Sequence, residues 1–264
     1  MQRNVIFKGK SIHYKTEGTG KPIILLHGFL ESLEMWNDFT KSLLHKFTVI
    51  RIDLPGFGNS ETISSVHTME LMADTVKAVM DHEEIKAAVI VGHSMGGYAS
   101  LAFAEKYPEK LKGLCLFHSH AAADTNEAMK NRERTIEIVE KNHIGFISNF
   151  IPDLFAPENV KKFEKEIDLL KTNGIKTSRK GVIAALMGMK TRTSKLGLLN
   201  KTNVPVLFIA GKKDKRIPAN TIMEQALLPY HSEVLLLGNV GHMGYIEARN
   251  ETLESLQCFA KKCF

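Results

Sequence analysis

The sequence predicts an α/β protein with a mostly parallel, eight-stranded sheet flanked by helices and one helical insertion. Three observations carry that prediction. Short apolar runs alternate with amphipathic stretches along most of the chain, which is the pattern of strands joined by crossover helices. Two early segments read as an antiparallel hairpin at one edge. The block 121–199 shows helical spacing without a convincing strand.

Taken in order, residues 4–7 and 11–14 form the expected hairpin. The runs KPIILL (21–26), TVIRI (48–52), AAVIV (87–91), LKGLCLF (111–117), VLFIA (206–210) and EVLLL (233–237) read as strands. They are continuously apolar rather than alternating, as strands covered on both faces are. Helical spacing predicts helices over 35–45, 69–82, 98–107, 220–228 and 247–263, and inside the insertion over 127–142, 159–170 and 178–187. The expected organisation is therefore a core made of residues 1–120 and 200–264, with 121–199 inserted as a helical cap over the carboxyl ends of the strands. Open parallel sheets bind ligands at that end.

Composition narrows the function classes. A chain of 264 residues with 44% hydrophobic content is ample for one large core. It contains no apolar run long enough for a membrane span, and its first ten residues, MQRNVIFKGK, lack the apolar stretch of a secretion signal. The three cysteines, Cys115, Cys258 and Cys263, have no metal-type spacing, so a reduced, cytoplasmic protein is expected. The net charge of +6 is spread over lysines interleaved with acids, as in KKFEKEIDLLK. Without interleaved aromatics this reads as a solvated face, not a nucleic-acid surface.

The chemistry-bearing signal is GHSMGGY at 92–98, directly after the run 87–91. G-x-S-x-G after a strand and before a helix is a nucleophile elbow, a turn so sharp that the serine hydroxyl stands above the sheet. Gly92 and Gly96 leave room for it, and the Met95 N–H at the helix start points toward a carbonyl beside Ser94. A serine hydroxyl needs a base, and the base needs an acid to fix its tautomer. Asp214 in GKKDKRIP and His242 in GNVGHMG each follow a predicted strand, giving the chain order Ser, Asp, His. The loop HGFLES after KPIILL offers the Phe29 N–H as a second oxyanion donor. His27 is expected to order that loop, and Asp53 in DLPGFGNS to brace its own turn.

Together, HGF, DLPGFGNS, GHSMGGY, the aspartate of AGKKDKRIP and the histidine of NVGHMGYIE resemble the α/β-hydrolase superfamily. The resemblance runs from about Lys21 to the final helix, and the insertion alone lacks a motif. Within the superfamily the chain is similar to small bacterial esterases of the arylesterase and perhydrolase type, to enol-lactone hydrolases and to carbon–carbon bond hydrolases. The resemblance implies Ser94 as nucleophile, Asp214 as triad acid, His242 as base, Phe29 and Met95 as oxyanion donors, and no metal or organic cofactor. Relatives that dehalogenate haloalkanes or open epoxides carry aspartate where Ser94 stands, and another esterase branch carries HGGG where this chain has HGF.

The expected activity is hydrolysis of small, largely apolar esters through an acyl-enzyme, with a small-molecule ester and water as partners, in a monomer or homodimer. Trp36, His118, Phe146, Phe150, Phe155 and Met187 are the expected substrate-binding residues, with Tyr98, Ile147, Leu154 and Met189 near them. His120 is placed beside the site, and Lys190 and Arg192 on the surface. Two alternatives stand. One is carbon–carbon or enol-lactone hydrolysis on the same triad. The other is a ligand-binding signalling protein of this fold with slow turnover.

Overall fold

The computed structural model describes residues 2–264. Its eight strands are β1 (Gln2–Phe7), β2 (Lys10–Glu17), β3 (Lys21–Leu26), β4 (Phe47–Ile52), β5 (Ala88–His93), β6 (Leu111–Phe117), β7 (Val206–Gly211) and β8 (Ser232–Leu237). They form one sheet in the order β1-β2-β4-β3-β5-β6-β7-β8. β1 pairs antiparallel with β2, and β2 antiparallel with β4, while the remaining pairs are parallel. The predicted hairpin is present and longer than expected, with Phe7 opposite Lys10.

The described residues also form ten α-helices, besides short 3-10 turns: α1 (Asn37–Leu43), α2 (Met69–His82), α3 (Met95–Lys106), α4 (Asn126–Phe150), α5 (Glu164–Gly174), α6 (Arg179–Lys190), α7 (Leu196–Leu199), α8 (Ala219–Ala226), α9 (Gly244–Glu247) and α10 (Arg249–Lys262). Most helix boundaries shift by a few residues from the sequence reading, and three of the shifts have clear local reasons. The first helix opens as a 3-10 turn over Leu33–Trp36, capped by Ser32. α3 starts three residues early, because β5 ends at His93 and Ser94 alone separates it from the helix. α4 runs on past residue 142 but breaks there: Asn142 has φ −148° and ψ 76°, and its Oδ1 accepts the Gly145 N–H at 2.9 Å, which starts a second helical segment.

The core follows from strands apolar on both faces. Ile23 to Leu26, Val89 to Val91 and Val206 to Ile209 are almost wholly excluded from solvent, each such side chain contributing about 1.5–3 kcal/mol on burial. The parallel strands share one carboxyl end, and five of them stop just before a residue of interest: β3 before Phe29, β5 before Ser94, β6 before His118, β7 before Asp214 and β8 before His242. Between β6 and β7 the described residues form helices and turns only, from α4 to α7. No helix among the described residues is long and apolar enough to cross a membrane.

Candidate active site

Ser94 sits between β5 and α3 with φ 50° and ψ −113°, a backbone region that non-glycine residues rarely adopt. Its surroundings over-determine that conformation. The Ser94 N–H donates to the Phe117 carbonyl at 2.9 Å, and its own carbonyl accepts the Gly97 N–H at 2.9 Å and the Ser119 hydroxyl at 2.8 Å. A Cβ on Gly92 would meet the Gly96 carbonyl oxygen at 2.3 Å, and one on Gly96 would meet the His27 carbonyl oxygen at 2.7 Å. The elbow therefore closes only on glycine at both places.

His242 and Asp214 meet below the same opening, with His242 Nδ1 2.7 Å from Asp214 Oδ2. The other carboxylate oxygen accepts the N–H groups of Arg216 at 2.8 Å and Ile217 at 3.0 Å. Burial works to raise the pKa of Asp214, but the charge of His242 and hydrogen bonds from His118 and His242 hold it well below the usual carboxylate range. An ionised Asp214 fixes the proton of His242 on Nδ1 and leaves Nε2 free as a base. Ser94 and His242 line one cavity, although no hydrogen bond joins their side chains among the described residues, an open spacing common before substrate binds. The backbone N–H groups of Phe29 and Met95 have no partner among the described residues, so both are available as donors.

A second histidine touches the acid. His118 Nδ1 lies 3.1 Å from Asp214 Oδ2, while its Nε2 is buried without a hydrogen-bond partner among the described residues. Burial pushes its pKa down to about 4, so it is a neutral donor to Asp214. His118, Asp214 and His242 are the one group among the described residues with metal-ligand proximity, their atoms lying within 4.8 Å of one another. Those atoms are already engaged with each other in hydrogen bonds, which is the arrangement of a proton-holding chain.

Glu31 and His93 form a further buried pair that the sequence reading missed. His93 Nδ1 is 2.8 Å from Glu31 Oε2, and His93 Nε2 is 3.0 Å from the His242 carbonyl oxygen. Glu31 also accepts the Gly28 N–H at 2.7 Å and the Tyr245 hydroxyl at 2.9 Å. The available signals were a glutamate inside the apolar loop after β3 and a histidine inside the elbow itself.

The cavity has a volume of about 390 Å³. Of the expected substrate-binding residues, Phe146 and Phe150 line it, beside Phe29, Tyr98, Leu154, Met189 and His120. Four others do not. Trp36 is fully buried against Phe39, Phe117 and Tyr245, and His118 lies behind Asp214. Phe155 packs on Phe163. Met187 falls out of phase on α6, whose wall residues are Leu186 and Met189, three apart. Ile147 is likewise buried in the core.

Arg192 is not on the surface. It is buried, pairs with Asp124 and stacks on Tyr98 at 4.0 Å. Asp124 also pairs with Arg132, and both line the cavity with Lys215 and Arg216. Lys190 pairs with Glu133. His27 orders its loop as expected, with Nδ1 2.7 Å from the Gly28 carbonyl oxygen and Nε2 accepting the Leu54 N–H at 2.9 Å. Asp53 braces its turn, accepting the N–H groups of Leu33 at 2.8 Å and Asn59 at 2.9 Å.

A family model described as the alpha/beta hydrolase fold matches residues 21–137. Among solved structures, a thermophilic esterase from Thermogutta terrifontis, determined with malate bound, superposes with a TM-score of 0.93 at 31% identity, covering 100% of this chain and 99% of that one. An uncharacterized hydrolase, YugF, of Bacillus subtilis is 29% identical over 245 residues, 88% of this chain and 86% of the relative. The dihydrolipoyllysine-residue acetyltransferase component of an acetoin cleaving system from Pseudomonas putida is 29% identical over 247 residues. That match takes in 92% of this chain, which spans only 64% of the relative's length.

Proposed function

The chain belongs to the α/β-hydrolase family, and from that premise we propose that it is a carboxylic ester hydrolase that cleaves small, largely apolar esters through a Ser94 acyl-enzyme. The observation that carries this reading is the conjunction of Ser94 at positive φ with the 2.7 Å His242–Asp214 contact on the wall of one cavity.

His242 Nε2 takes the Ser94 proton as Oγ attacks the ester carbonyl, and Asp214 stabilises the imidazolium that forms. The N–H groups of Phe29 and Met95 receive the oxyanion, each worth about 3 kcal/mol in the transition state. Collapse passes the proton from His242 to the departing alcohol. His242 then deprotonates water, which attacks the acyl-enzyme and returns Ser94. Residues 121–199 act as the cap: Phe146, Phe150, Leu154 and Met189 supply the apolar wall for the acyl group. Leu154 also accepts the His242 N–H at 2.7 Å, which ties the cap to the base loop.

The test is steady-state hydrolysis of p-nitrophenyl esters from acetate to decanoate. The expected outcome is a short-chain optimum and a loss of at least about 10³-fold in kcat for Ser94→Ala. Wild-type turnover in Ser94→Ala, or turnover of long-chain esters only, overturns the reading. One observation favours the carbon–carbon or enol-lactone alternative. Arg132 lines the cavity and shares the single carboxylate of Asp124 with Arg192, which leaves one positive charge in excess, and its Nη1, with the Met189 sulfur as partner at 3.5 Å, can turn to a substrate carboxylate. Preference for dienoate or lactone acids over neutral esters, lost in Arg132→Met, would select it.

A further inference from the structure

His93 precedes the nucleophile and is fully enclosed, yet both of its ring nitrogens face acceptors. The His242 carbonyl oxygen, 3.0 Å from Nε2, can only accept, so Nε2 carries a proton. Glu31 Oε2, 2.8 Å from Nδ1, also receives the Gly28 N–H, while Oε1 receives the Tyr245 hydroxyl. With donors converging on both of its oxygens, Glu31 is a carboxylate, so Nδ1 carries a proton too. We propose that Glu31 and His93 are a standing carboxylate–imidazolium pair, and that they position the catalytic groups by fastening three loops at once. Glu31 holds the loop that presents Phe29, His93 belongs to the elbow that presents Ser94, and its second N–H holds the backbone of His242 itself.

The surrounding charges act in the same sense. Burial alone would strip the proton from His93, but Glu31, with Asp214 behind it, raises its pKa. Burial would likewise protonate Glu31, and His93 and Tyr245 keep it ionised. The other titratable groups facing the pair are His242 at a ring separation of 5.1 Å, His118 at 6.1 Å, Tyr245 at 5.5 Å, and His27, whose own pKa burial depresses. Neither His27 nor His118 competes for the proton, since burial lowers the pKa of both.

A neutral imidazole has one N–H, so deprotonated His93 must release either Glu31 or the His242 carbonyl. Because the folded pKa is raised, the clamp is fully present below the unfolded value of 6.5 and is lost as pH rises through the folded value. Glu31→Gln removes the anion that raises it, so loss of the clamp moves to lower pH.

The direct test needs no turnover. In ¹⁵N-labelled wild-type protein, assigned against a His93→Asn spectrum, long-range ¹H–¹⁵N correlations are expected to show both His93 nitrogens protonated from about pH 6 to about pH 8. One unprotonated nitrogen at neutral pH overturns the proposal. The kinetic test rests on the ester reading above. In Glu31→Gln, kcat is expected to fall about tenfold or more near pH 8 and only a few-fold near pH 6, with KM nearly constant, and Glu31→Asp to recover part of the loss. An equal loss at both pH values would leave the pair a packing feature and overturn the positioning role. Should Glu31→Gln not fold, the wild-type spectrum still decides the charge state. If wild-type protein hydrolyses no ester, the ester reading fails and the spectrum still tests the pair.

Discussion

His93, the last residue of β5, and His118, just past the neighbouring β6, are equally enclosed and each face a carboxylate, yet one is charged and the other neutral. His93 meets an acceptor at both nitrogens and keeps two protons. His118 meets Asp214 at Nδ1 and nothing at Nε2, so burial prevails and it is neutral. Burial alone therefore does not set the charge of an imidazole; the acceptors around it do. In the proposed triad the two serve different ends. His93 anchors the backbone of the base, and His118 adds a donor to the acid.

The comparison is broken most severely by Asp214→Asn, which removes the carboxylate that His118 and His242 share. A fall of about 10⁴-fold in kcat is expected, as the amide leaves His242 in the wrong tautomer, with both His93 nitrogens still protonated at neutral pH because Glu31 remains. A wild-type rate would remove Asp214 from the triad. Next in size is the acid sensitivity of folding. His118 titrates near 6.5 when unfolded and about 4 when folded, so the unfolded chain binds the extra proton in that window and stability falls as pH drops through it. His67 and His120, also pushed down to about 4 by burial, add to the same slope. Urea denaturation between these pH values is expected to give a shallower slope in His118→Asn, a residue that tolerates the φ of +47° at this position. An identical slope would show that His118 is not the buried neutral group described. The smallest effect is that of Ser119→Ala, which loses the hydroxyl bond to the Ser94 carbonyl. About 1 kcal/mol of stability and a few-fold in kcat are expected, measured by thermal denaturation and steady-state rates; no change in either would mean the elbow holds without it.

What the sequence made legible was local. Most of the buried strands are short apolar runs, broken only by a charge such as Arg51 or Lys112, and the elbow, the acid turn and the base turn each lie within a few residues of a strand end. The fold and the chain order of Ser94, Asp214 and His242 could therefore be read directly. Glu31, His93 and Tyr245 could not be joined that way, because their contacts span 62 to 214 positions and depend on which loops the sheet order brings together. The cavity wall failed for another reason. Helical spacing reveals that α6 has an apolar face, but not which side meets the cavity, so Met187 was expected where Leu186 and Met189 stand. Trp36 and Phe155 are as apolar as any pocket residue and are used to fill the core.

The interruption of α4 at Asn142 separates two jobs that one continuous rod would have tied together. Asp124 and Arg132, at the charged wall, lie at or before the first segment, and Phe146 and Phe150, at the apolar wall, belong to the second. The joint between them is a single side chain receiving a single amide hydrogen. Drift at positions 142 and 145 can thus re-aim one wall against the other while every lining residue keeps its identity, giving this scaffold a way to vary cavity shape that an inspection of the lining alone would overlook.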